Sequence, residues 1–114
     1  MEDIYTDVTV ELDGGEIVCR PDPVQLYYAY EKGPNAVRWV KGESLGPGMR
    51  IEIGPWDPEN PFGSVSTGPS GDARASANRG IRGRFKYGVT IRQGDAVVAT
   101  VDPGVVNDPE PGGP

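Results

Sequence analysis

The chain has 114 residues, no histidine, and one cysteine, Cys19. Without an imidazole, Ser-His-Asp and Cys-His catalysis are excluded, leaving only the Ser-Lys and N-terminal-nucleophile variants of that chemistry. A single thiol rules out an intramolecular disulfide. Cys19 follows Ile17 and Val18, the setting of a small buried hydrophobe, and a nucleophilic role would need the missing histidine. No apolar run approaches the roughly 20 residues of a membrane span. The opening Met1-Glu2-Asp3-Ile4-Tyr5 lacks the basic and apolar regions of a signal peptide. A cytoplasmic location is therefore the expectation; a trimmed signal peptide would leave the same start, so an extracellular one stays open. A basic excess is also missing. The net charge of −6 argues against non-specific nucleic-acid binding, so nucleic acid is not the expected partner.

What the chain has in quantity is glycine (17) and proline (12), placed between apolar runs rather than inside them. That placement reads as the turns of an all-β protein, not as disorder. The clearest strand is Gly83–Arg92. Phe85, Tyr87, Val89 and Ile91 alternate with Arg84, Lys86, Thr90 and Arg92, the period-2 pattern of one buried and one wet face. Gln93-Gly94-Asp95 then turns the chain into the apolar run Ala96–Val101, predicting a hairpin.

The same alternation predicts strands over Thr6–Leu12, Glu16–Cys19, Val24–Tyr30, Ala36–Lys41 and Met49–Ile53, with a last short edge strand over 102–106. Asp13-Gly14-Gly15, Pro21-Asp22-Pro23, Gly33-Pro34-Asn35 and Gly46-Pro47-Gly48 punctuate them. Between Gly54 and Gly83 the pattern stops. That stretch reads as a long irregular loop, pinned in its first half by Trp56, Phe62 and Val65 and mobile over Ser66–Arg82. The expected fold is one Greek-key β-sandwich of about 7–8 strands over residues 1–106, with an acidic Pro/Gly tail over 107–114.

Three segments carry a resemblance. Val37-Arg38-Trp39-Val40 resembles the tryptophan-bearing strand of cupredoxin-like β-sandwiches, and Gly83-Arg84-Phe85-Lys86-Tyr87 their late Gly-x-aromatic-x-aromatic strand. Val101-Asp102-Pro103-Gly104-Val105-Val106 is similar to an ending seen in many bacterial cupredoxin-like modules. The resemblance implies that sandwich fold; immunoglobulin-like sandwiches share the strand pattern. It does not bring the family's chemistry, because type-1 copper needs two imidazoles and a thiolate. Val89 stands where the ligand cysteine would follow the aromatic strand, and Cys19 lies in another part of the chain. The resemblance thus implies a version without the type-1 copper site, and no cofactor is expected.

The candidate binding residues follow from charge. Residues 72–92 hold Arg74, Arg79, Arg82, Arg84, Lys86 and Arg92 against Asp72 alone, a local +5 that leaves −11 for the rest of the chain. Arg84, Lys86 and Arg92 share one strand face and form a stripe suited to an anionic partner, most simply an acidic protein surface. Nucleic acid would add stacking aromatics on that face, but Phe85 and Tyr87 point the other way. The plain alternative is a solvated face of weak cross-strand pairs. Tyr27, on the opposite side of its strand from Leu26, Tyr28 and Tyr30, is a candidate exposed aromatic. A second candidate site is Asp57, Glu59 and Asn60, an oxygen-bearing loop for calcium or carbohydrate, against a reading in which Asp57 and Asn60 merely cap turns around Pro58 and Pro61.

The expectation is a non-enzymatic interaction module, monomeric or paired through exposed sheet edges, that meets its partner through the loop 63–82 and the basic strand face.

Overall fold

The structure, a computed structural model, describes residues 3–27 and 32–107. These residues form an all-β sandwich of ten strands. These are β1 (Tyr5–Asp13), β2 (Glu16–Arg20), β3 (Val24–Leu26), β4 (Ala36–Lys41), β5 (Met49–Asp57), β6 (Phe62–Thr67), β7 (Ala73–Asn78), β8 (Gly83–Gln93), β9 (Ala96–Val101) and β10 (Gly104–Asn107). One sheet runs β2-β1-β4-β7-β6 and the other β3-β10-β8-β5, with β9 also on β8. Both are mixed: β1 pairs parallel with β4 and β10 parallel with β3, while the other pairings are antiparallel. Among the described residues no helix is long and apolar enough to cross a membrane.

The alternation read from the sequence decides which faces meet. Phe85, Tyr87, Val89 and Ile91 of β8 are all buried, and so are Val8 and Val10 of β1, Val37 and Trp39 of β4, and Ile51 of β5. Strand β8 is the longest and organises its sheet. Lys86 lies opposite Asp57 of β5 on one side and opposite Gly104 of β10 on the other; further along, Thr90 lies between Glu52 of β5 and Thr100 of β9. The edge of β8 away from β5 is thus shared by β9 and β10. At the far end of the molecule Asn78 of β7 and Asn107 of β10 exchange amide hydrogen bonds of 2.9 and 3.0 Å, joining the sheets. Asn107 also donates to the Ile81 carbonyl at 2.8 Å, which satisfies a fully buried polar side chain.

Three expectations are corrected. Residues 54–83 are not an irregular loop, because β6 and β7 form a hairpin there and β5 continues to Asp57. The inward positions of β7 are Ala73 and Ala75, both buried. Alanine is small and a weak strand former, so its alternation carries little sequence signal. Strand β10 is not an edge, since it lies between β3 and β8, and Asn107 belongs to the fold rather than to the tail. Strand β3 ends at Leu26; the predicted continuation through Tyr28 and Tyr30, and the tail from 108, lie outside the described residues. Phe62 is buried, and Trp56 and Val65 pack against the core as expected.

Candidate functional site

The sandwich keeps the stripe Arg84, Lys86 and Arg92 on one face of β8 and places Arg74, from the same basic stretch, on the other sheet. Side chains alternate along β8, so burial of Phe85 and Tyr87 forces Arg84 and Lys86 outward. Both are exposed on the outer face of the second sheet. Arg92 shares that face, but its Nε donates to Glu52 Oε1 at 2.7 Å and its Nη1 to the Asp95 carbonyl at 3.3 Å. Arg74 lies on the other sheet, where β7 places it opposite Arg38 of β4. Arg79 follows β7 and donates to the Asn60 carbonyl at 3.1 Å, and Arg82 is exposed in the 79–82 connection. Tyr27 is half-buried; its ring lies against Gly33, and its backbone N–H donates to the Pro34 carbonyl at 2.9 Å. It is part of neither basic face.

Arg84 and Lys86 open onto a cleft of about 340 Å³. Asp22 and Pro23, which precede β3, form one wall, and Asp57 and Pro58, which close β5, form the other; Val106 lies between them. The two walls have separate anchors. Asp22 Oδ1 accepts the Gly104 N–H at 2.9 Å, which holds the 21–23 segment onto β10. Asp57 sits opposite Lys86 by strand register. A smaller cleft of about 230 Å³ shares Asp57 and Lys86 and adds Trp56, Gly88 and Asp102. At Gly88 there is no room for a side chain, because a Cβ would stand 2.6 Å from the Gly54 carbonyl oxygen at the β5 bulge.

The charges in the cleft are poised unevenly. Arg38 pairs with Asp7, and Arg92 with Glu52. Arg84 and Lys86 form no ion pair and no side-chain hydrogen bond with the described residues. Their nearest acids by architecture are Asp57 and Asp22, and the latter is occupied by Gly104.

The oxygen-bearing loop is not assembled as a cation site. Asn60 Oδ1 accepts the Phe62 N–H at 2.9 Å, the turn-capping role. Asp57 faces the Lys86 side, and Glu59 is exposed. Among the described residues no three acidic, cysteine or histidine side chains gather in a way that could hold a metal. The two sequence-predicted sites nevertheless touch, since Asp57 and the Arg84–Lys86 pair line one cleft. Asp22 and Val106 were not anticipated there. Asp22 sits in Pro21-Asp22-Pro23, which reads in sequence only as a strand break.

Elsewhere, burial pushes the Cys19 thiol up to about 11, helped by the Asp22 charge, so it is a packing group rather than a nucleophile. No protein-family model matches the chain, and no curated protein matches it.

Proposed function

We propose that this protein is a non-catalytic binding module that holds an acidic, extended segment of a protein partner against the outer face of β8, through Arg84 and Lys86. The observation that carries the reading is a pair of cations, exposed in a cleft and forming no ion pair with the described residues, in a chain whose net charge is −6. Positions two apart on a strand are separated by about 6.6 Å. An extended partner with carboxylates at alternate positions repeats that spacing, so each cation meets one acid. Exposed pairs are worth about 0.2–1 kcal/mol each, so the contact is weak, reversible and screened by salt.

The cupredoxin-like placement belongs to the same reading. Its support is that the three resembling segments are β4, β8 and the β9–β10 return, and that Trp39 of the first meets Tyr87 of the second in the core. The test is an amide NMR titration of the whole chain with a short peptide of alternating glutamates. Saturable shifts at residues 84–86, 57 and 106, lost on Arg84→Glu with Lys86→Glu, are expected. Binding that survives both charge reversals would remove this face from the account.

A further inference from the structure

The opposite face carries a second cleft, of about 510 Å³, where the 68–72 turn between β6 and β7 lies beside β4. Strand register builds a row of side chains across it. Asp7 of β1 is opposite Arg38 of β4, Arg38 is opposite Arg74 of β7, and Arg74 is opposite Ser66 of β6. All of these side chains point outward, because their neighbours Val8, Trp39, Ala73 and Ala75 are buried.

Two like charges directly opposite each other on neighbouring strands are unfavourable, and only one of these two is answered. Arg38 holds Asp7 in a bidentate pair, with Nε and Nη2 donating at 2.9 and 3.2 Å. Arg74 forms no ion pair with the described residues. Its guanidinium carbon stands 5.8 Å from the centre of the Tyr5 ring. That stacking restrains the guanidinium while leaving its in-plane N–H donors available. Ser66 and Ser70 line the same cleft, and neither donates its hydroxyl to a described residue. Asp72, the one carboxylate of the lining, receives the Lys41 N–H on Oδ1 at 3.0 Å.

The row therefore contains one completed arginine–carboxylate pair and, beside it, an arginine without its carboxylate. We infer that this cleft is a carboxylate-binding site, in which Arg74 grips the ligand's carboxylate through its guanidinium fork and Ser66 and Ser70 donate to the same ligand. Counting Asp7, which Arg38 already holds, two guanidinium groups stand against two carboxylates, so there is no net positive charge to balance a doubly charged phosphate. The Arg74 fork, without an ion pair among the described residues, matches one planar carboxylate. The volume is of small-ligand size.

The carboxylate can come from a small acid or from the free end of a peptide, and the experiment separates the two. Amide spectra of the whole chain would be titrated at fixed ionic strength with lactate, with Gly-Gly-Ala, with its C-terminal amide, and with inorganic phosphate. Saturable shifts centred on residues 38, 66 and 68–74 are expected, with residues 84–86 unmoved. Response to Gly-Gly-Ala but not to lactate assigns the site to peptide ends, and the reverse assigns it to small acids. Arg74→Gln should weaken binding about tenfold or more, since a charged hydrogen-bond donor is lost, while spectral dispersion is retained; Arg74→Lys should recover only part. Phosphate binding more tightly than either carboxylate, equal response to the amide, or an unchanged affinity in Arg74→Gln would overturn the assignment.

Discussion

The Trp39 indole N–H donates a 2.9 Å hydrogen bond to the Tyr87 hydroxyl across the middle of the sandwich. The rings meet at 5.3 Å with a 59° tilt, within the centroid range at which aromatic pairs attract. Trp39 sits on β4 and Tyr87 on β8, so this contact sets how the two sheets lie on each other. It also positions the proposed binding face, since Lys86 is the next residue to Tyr87 and points the opposite way.

Tyr87→Phe leaves the Trp39 N–H buried without an acceptor. The expected cost is about 1–3 kcal/mol. It would be read as a lower urea midpoint with an unchanged slope; an unmoved midpoint would mean the bond contributes nothing net.

Ala77, on β7, has φ 58° and is exposed. A left-handed alanine costs roughly 1–2 kcal/mol, and glycine returns roughly 0.5–1 of that in chain entropy. Ala77→Gly should therefore stabilise the protein by about 0.5–1 kcal/mol, measured as a raised denaturation midpoint.

Glu11 contributes on the acid side. Its carboxylate accepts from the Ser44 hydroxyl and from the Ser44 and Glu43 N–H groups, with Arg20 nearby, and these hold its pKa below the ordinary 4.5. The folded value lies below the unfolded one, so its contribution is complete above about pH 4.5 and is lost as the pH falls through the folded value. Glu11→Gln should flatten that part of the stability profile between pH 5 and pH 3. A profile identical to the parent's would contradict the assignment.

On the alkaline side the sign reverses. Burial raises the Cys19 thiol from 9.0 to about 11, and burial also pushes the Tyr87 hydroxyl well above its usual range. Stability tied to Cys19 is complete below about pH 9 and is lost as the pH rises towards 11. Urea midpoints taken from pH 8 to pH 11 should fall less steeply for Cys19→Ala than for the parent. A thiol reagent at pH 8 should label Cys19 only once the protein unfolds.

Most strands were legible because branched and aromatic residues mark alternation clearly, as Phe85 to Ile91 show. Strands β6 and β7 were hidden because their inward positions are filled partly by Ala73 and Ala75, with Gly63, Ser64 and Ser66 facing out. Glycine and serine there look like loop composition, yet β6 pairs along its length with β7, which in turn pairs with β4. The Arg84–Lys86 half of the site was visible because one strand supplies both residues. Its walls were not, since Asp22 and Asp57 are brought there by strand order, which local pattern does not encode. For the same reason Arg74 looked continuous with Arg84, although the β7–β8 crossing places it on the opposite sheet.

The most direct test of the account is the affinity of the alternating-glutamate peptide for the parent and for the Arg84→Glu, Lys86→Glu double variant, by fluorescence anisotropy at two salt concentrations. The account predicts measurable binding by the parent that weakens with salt, and none by the double variant. Equal affinity in the two proteins, or binding indifferent to salt, would contradict it.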